Sequence, residues 1–166
     1  MFMEKYTIHS GSAADIDFLW EMLYQAIYVP EGVDRPSRAI IKDPALEKYV
    51  RNWGRDGDIA LIALDETGNH VGAIWTRLFN EKNQTYGYIA DDTPVLSMAV
   101  LPDYRGKGIG TLLLNELLRR LTIAGYPAVS LSVDPNNTAV QLYKRFGFIK
   151  VGLNETSWDM KAELHR

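Results

Sequence analysis

The run Leu101-Pro-Asp-Tyr-Arg-Gly-Lys-Gly-Ile-Gly-Thr111 constrains this chain more than any other stretch. It follows an apolar segment, Val95 to Leu101, that reads as a strand. After it, Ile109, Leu112, Leu113, Leu117 and Leu121 recur along one helical face, and Gly125 is a natural stop. A strand must therefore pass through three alternating glycines straight into a helix. Gly106, Gly108 and Gly110 allow dihedrals barred to other residues and let a ligand approach the backbone. A helix that begins inside such a loop turns its free N–H groups and positive dipole end into it, which attracts phosphate. Arg105 and Lys107 add local positive charge to a chain of formal net charge -3.

The other elements follow from pattern. Lys5 to His9 reads as a strand. Ser12 and Asp15 resemble a capping box before a helical face of Ile16, Leu19, Trp20, Leu23 and Ile27. Val29 to Arg38 reads as a loop, and Asp43 caps a short helix expected over residues 44–53, with Pro44 at its first position. Ile59 to Leu64 and His70 to Leu78 form a strand pair around a turn at Gly68, and Tyr86 to Ile89 is a polar, aromatic stretch. Ala128 to Val133 is a further strand. Ala139, Leu142, Tyr143 and Phe146 mark a helix, and Phe148 to Val151 with Ser157 to Lys161 close the chain as strands. Strand pairs first and strand-helix-strand units later imply an α/β fold, a mixed sheet flanked by helices. Without repeats or a linker, residues 1–166 read as one domain.

Composition closes several doors. The absence of cysteine excludes disulfides, thiolate metal sites and a cysteine nucleophile. His9, His70 and His165 stand far apart with no metal-ligand spacing, so no metal is expected. The negative balance argues against nucleic acid as a partner. No segment approaches 18 consecutive apolar residues and the first nine lack a signal-peptide run, so no membrane association and a cytoplasmic address are expected.

Three phosphate-binding patterns compete for the loop. A P-loop needs Ser or Thr after its lysine, but Gly108 follows Lys107. A dinucleotide fingerprint needs its third glycine at 111, where this chain has Thr111. Arg-x-x-Gly-x-Gly is satisfied by Arg105, Gly108 and Gly110. A tight strand-to-helix turn with no ligand is the remaining reading.

Residues 100–113 resemble the acetyl-CoA motif of the GNAT superfamily of N-acetyltransferases. A second motif of that family, Asn-x-x-Ala-x-x-Leu-Tyr-x-x-x-Gly-Phe, is matched by Asn136, Ala139, Leu142, Tyr143, Gly147 and Phe148. Close similarity covers about Ile59 to Gly152, with the cofactor motifs within 95–148. The resemblance implies a mostly antiparallel sheet with one splayed parallel strand pair at the cofactor site. It implies direct acetyl transfer from acetyl-CoA to a primary amine, small molecule or peptide; a non-catalytic acyl-CoA-binding module is the alternative. Pantetheine would lie along the backbone of Met98, Ala99 and Val100, with an amide near Met98 as oxyanion donor. Pyrophosphate would sit on the loop from Arg105 and Gly106 through Lys107, Gly108, Ile109 and Gly110 to Thr111, with Asn136 facing it. Tyr143 would be the acid that protonates the departing thiolate; its spacing also suits packing between Ala139 and Phe146. A homodimer is compatible with the family.

The base is less defined. Some members carry Glu where this chain has Pro94, and Asp92 shares that face if the strand runs back through the proline. Asp91 and Asp92 otherwise read as solvated loop acids, and a neutral amine needs no base. Without a nucleophile motif around Ser97, a covalent acyl-enzyme has no support. For the acceptor, the first half supplies Trp20, Tyr24, Tyr28, Trp53, Trp75, Tyr86 and Tyr88, and Asp34, Asp43, Asp91 and Asp92 could favour a cation.

Overall fold

A computed structural model describes residues 5–165. Seven strands form one sheet: β1 Thr7–Ser10, β2 Ile59–Leu64, β3 His70–Arg77, β4 Val95–Val100, β5 Ala128–Val133, β6 Ile149–Asn154 and β7 Ser157–Glu163. Their spatial order is β1-β2-β3-β4-β5-β7-β6. Every neighbouring pair is antiparallel except β4 and β5. The helices are α1 Ile16–Gln25, α2 Pro44–Glu47, α3 Ile109–Ala124 and α4 Ala139–Arg145. The expected α/β class and mixed sheet are both present.

Helices cover both faces of the sheet. On one, Leu113, Leu114, Leu117 and Leu121 of α3 are fully buried in a cluster with Val71, Ile74, Leu131 and Met160. On the other, Leu19, Met22 and Leu23 of α1 pack in a cluster with Ile62, Ala73 and Trp75. No helix among the described residues is long and apolar enough to cross a membrane.

The capping box forms as expected: Asp15 Oδ2 accepts from the Ser12 amide at 2.8 Å, and Ser12 Oγ from the Ala14 amide at 3.3 Å. It caps a 3-10 turn, Ala13–Asp15, that leads into α1. The apolar row was expected to keep Ile27 in the helix, but α1 ends at Gln25.

The second helix departs further from expectation. Asp43 caps it through the Ala45 amide at 2.9 Å, yet it stops at Glu47 instead of reaching Trp53. The reason is tertiary. Arg77, on β3 and 1% exposed, drives its guanidinium under this segment and takes the carbonyls of Lys48 and Arg51 as acceptors. The same group pairs with both oxygens of Asp58, at 3.0 and 2.8 Å, and lies 5.1 Å from the Trp53 ring centroid. Carbonyls drawn toward a buried cation favour turns here over a regular helix, and Asn52, at φ 58°, closes the segment in the left-handed region.

Both partners of this ion pair are almost fully buried, with side chains 1% and 3% exposed. Arg77→Ala leaves Asp58 only its bonds from the Gly54 and Arg55 amides, strands two carbonyls, and should cost ~3–5 kcal/mol in urea unfolding.

Candidate functional site

Between β4 and β5 only one pair of residues stays in register, Val95 opposite Ser130. The Ser130 amide donates to the Pro94 carbonyl at 3.0 Å, and beyond that bond the strands part. By contrast, β3 and β4 hold six pairs in register. A cleft of about 950 Å³ opens where the strands separate, walled by Ser97 to Val100 on one side and Leu131 to Val133 on the other.

The hydrogen-bond parity of β4 decides what its edge presents. The Leu101 amide donates to Val71, so the odd-numbered residues of β4 exchange bonds with β3. The even-numbered ones, Met98 and Val100, turn their main-chain groups toward the cleft. Arg105 Nε already donates to the Val100 carbonyl at 2.9 Å. That leaves the N–H and C=O of Met98 and the N–H of Val100. Ala99 was expected to share this role, but its main chain faces Ala73.

At the wide end of the cleft, the glycine loop meets α3. Gly106 and Gly108 hold φ of 75° and 85°, the left-handed region that glycine favours. A Cβ on either would meet no atom within 4 Å, so the space before them is open. Gly110 has a different reason: a Cβ there would stand 3.3 Å from Leu142 and 3.5 Å from Met98, so it lets α3 approach both. The first bond of α3 runs from the Leu112 amide to the Gly108 carbonyl. The amides of Ile109, Gly110 and Thr111 therefore lack helical partners and point out of the N-terminus. Open space before three free donors fits a phosphate.

Arg105 lines the cleft, but it is tied to Val100 and, at 3.4 Å, to the Gln25 carbonyl at the end of α1. Partial burial, then the nearby Arg35, hold its guanidinium below the usual value. Lys107 is exposed and lies outside the cleft lining, whereas Asn136 is part of it.

Tyr143 lines the cleft from α4 and is 6% exposed, its ring edge-on to Phe148 at 5.5 Å. Burial pushes its phenol well above the ordinary range. Asp92 stands elsewhere. It is exposed in the turn before Pro94, accepts only a 3.3 Å bond from Thr93, and does not line the cleft. The strand starts at Val95, so the alternation that would have aimed Asp92 inward does not extend to it.

Of the seven aromatic residues singled out for the acceptor, Tyr28 and Tyr86 reach the cleft. Trp75 is core, and Tyr24 donates to the Pro36 carbonyl at 2.7 Å beneath Arg35 and Arg38. Among the acids, Asp43 is a helix cap, whereas Asp134 and Glu155 line the cleft.

Two groups near the acceptor side escaped sequence reasoning. Tyr49 lines the cleft, donates to the Tyr86 carbonyl at 2.9 Å, and has its phenol pushed up to about 12, chiefly by burial. Asp159 on β7 lies opposite Ser132, a cleft residue. Burial pushes its carboxyl up, a hydrogen bond from the Gly87 amide opposes that, and Oδ1 has no partner. The alternation along Ser157 to Met160 was readable, but not what its polar face would meet.

A strand-edge cleft closed by a glycine-rich helix N-terminus has the shape and free main-chain donors that an extended, phosphate-bearing ligand requires. The sequence pattern of the acetyltransferase (GNAT) family matches residues 20–148, and the chain belongs to that family. It is 31% identical over 111 residues to mycothiol acetyltransferase of Propionibacterium freudenreichii subsp. shermanii, covering 66% of this chain and 33% of that protein. It is 34% identical over 80 residues to the ribosomal protein bS18 alanine N-acetyltransferase of Haemophilus influenzae, covering 45% of this chain and 55% of that protein. The chain thus spans about a third and about half the length of these two relatives. A phosphinothricin acetyltransferase from Sinorhizobium meliloti, solved in complex with AcCoA, shares the fold at a TM-score of 0.67 and 22% identity, over 97% of this chain and 89% of that one.

The raised carboxyl of Asp159 carries a sign. An acid whose folded value lies above its unfolded one contributes stability at low pH and loses it as pH rises through the folded value. At pH 7 the native state therefore holds a partly buried charge at a cost. Asp159→Asn should raise the melting temperature at pH 7 and lose that advantage near pH 3, as followed by circular dichroism.

Proposed function

We propose that this protein transfers an acetyl group from acetyl-CoA directly to a primary amine, without a covalent acyl-enzyme. One observation carries this reading: the unpaired edge of β4 and the three free amides at the start of α3 line the same cleft. The first suits an amide-bearing pantetheine chain laid down as an added strand, the second its pyrophosphate. The Met98 N–H, held by its strand, would donate to the thioester carbonyl oxygen as negative charge develops there. Asn136 would face the same ligand across the cleft.

Tyr143 would supply the proton to the departing sulfur. A phenol is protonated at neutral pH, as an acid must be before the step, and burial makes its proton costlier to give up. The acceptor would enter from the side of Tyr28, Tyr49 and Tyr86, near Glu155. Asp92, exposed and off the cleft, takes no part in this scheme; an amine desolvated beside the tyrosines would arrive neutral.

Acetyl-CoA should raise the melting temperature, by the equivalent of roughly 2.7 kcal/mol at a hundredfold excess over Kd, while ATP and NAD should not. Gly108→Val should remove that shift. The side chain fills the open space before the helix and disfavours a φ of 85°. A folded Gly108→Val protein that still responds to acetyl-CoA would move the phosphate site elsewhere.

Tyr143→Phe keeps the ring against Phe148 and removes only the hydroxyl. Turnover, followed by free thiol release with an amine panel, should fall about 10²–10⁴-fold while the acetyl-CoA melting shift persists. Unchanged turnover with an acceptor for which chemistry is rate-limiting would leave Tyr143 a packing residue. A protein that binds acetyl-CoA but acetylates no amine would be a binding module.

A further inference from the structure

His9 and His70 are far apart in the chain, but the sheet brings them together. His9 pairs with Ile62 across β1–β2, and His70 with Leu64 across β2–β3, so the two flank one strand two registers apart. Their rings meet edge to face with centroids at 6.1 Å. The 3-10 turn before α1 sets Asp15 beside them, and Phe18 of α1 packs at 5.2 Å against the His70 ring. One nitrogen of each histidine and one oxygen of Asp15 all lie within 4.8 Å of one another.

Each of these groups is already oriented. The capping box holds Asp15 Oδ2 on the Ser12 amide, and Oδ1 faces His70 Nε2 at 2.8 Å. Asp15 is 5% exposed. Burial works against its ionisation, yet the hydrogen bonds from His70 and Ser12 outweigh it and hold the carboxyl below the usual range. His9 Nδ1 lies 2.9 Å from the Ser10 carbonyl, which can only accept, so Nδ1 carries the proton. In the neutral ring, Nε2 is then a bare lone pair. It is buried and has no partner. A histidine whose second nitrogen donates to a backbone carbonyl is arranged as metal-ligating histidines are.

We propose that His9, Asp15 and His70 form a binding site for a divalent first-row transition ion, with zinc as its test ligand. Two imidazoles and a carboxylate suit zinc or its neighbours, whereas magnesium and calcium prefer all-oxygen sets. Zn–N and Zn–O distances of about 2.0–2.2 Å need donors roughly 3.3 Å apart; His70 and Asp15 stand at 2.8 Å, and no pair in the trio exceeds 4.8 Å. The cation takes the place of the proton shared between His70 and Asp15, which is released on binding. His70, its side chain 38% exposed, leaves a path of entry and room for water as a further ligand. None of the three residues lines the acetyl-transfer cleft, so the site is independent of the function proposed there.

The test uses the full chain, free of any affinity tag. After zinc loading and dialysis, the protein should retain roughly one ion per chain, and cobalt in its place should give a visible absorption band. His9→Ala and His70→Ala, each first shown by circular dichroism to fold without metal, should each weaken zinc binding by more than the roughly 10–100-fold that loss of an outer-shell partner costs. His165→Ala should leave it unchanged. Wild-type protein that retains no stoichiometric zinc overturns the site, as does a folded His9→Ala or His70→Ala protein that binds zinc like the wild type.

Discussion

The hydrogen bond from the Ser130 amide to the Pro94 carbonyl is the point on which this architecture turns. It joins β4 to β5 at one end only, and everything distinctive follows from the divergence beyond it. A continued ladder would leave no edge for a ligand and no cleft; without the bond the sheet would split in two. The loop before β4 reinforces the joint. Gly87, at φ 87°, lies so close to β5 that a Cβ would stand 2.9 Å from the backbone of Leu131 and Ser132. Its carbonyl accepts from Ser130 Oγ at 2.7 Å. The closed end of the wedge is thus held by bonds from two directions, while α3 packs across β2, β3 and β4 and shares a core with Leu131 and Val133 of β5. Main-chain groups left unpaired at the open end must find water or a ligand, because drying them without partners costs free energy.

The parity of β4 then sorts its residues into two kinds. Even positions turn their main chain to the wedge and their side chains toward α3, where Leu96, Met98 and Val100 join that core. Odd positions bond to β3 and send Val95 and Ala99 to the α1 side. One strand thereby serves both layers and the ligand edge at once. Arg105 adds a further tie, from the loop back to Val100 and to the end of α1. The chain's negative balance made Arg105 a candidate for the pyrophosphate; its bonds also make it a brace that sets where the loop stands.

Much of this was readable because it is local. The strand, glycine loop and α3 are neighbours in sequence, joined by a single 3-10 turn at Pro102–Tyr104, and Ser12 with Asp15, Asp43 with Pro44, and Gly125 each announce a helix end by short-range chemistry. What was not readable depends on contacts distant in sequence. The stop of α2 at Glu47 is set by Arg77 arriving from β3. The limits of Asp92 are set by where β4 begins, and Pro94, the residue that made its alternation doubtful, does precede the strand. Ala99 could not be told from Met98 without knowing which neighbour takes the odd-numbered bonds. Asp159 and Ser132 come together only through the β5–β7 register, and His9 and His70 only through a shared partner strand. Residues joined by a ladder carry no sign of it in their spacing.

In the role proposed for it, Tyr143 would join packing and chemistry in one residue. The same burial that sets its ring against Phe148 and among the leucines of α3 also raises the pKa of its hydroxyl. Water would screen an exposed phenol, leave it mobile, and let solvent protonate the leaving group in its place. A ring held on two sides can direct its hydroxyl at one point, and low polarity around it keeps the proton in place until negative charge develops nearby. A developing thiolate would take that proton, leaving a neutral thiol and passing the negative charge to the phenolate, which the same burial disfavours. A core position on α4 would therefore fix where the proton is offered, while the same burial sets how much its transfer costs.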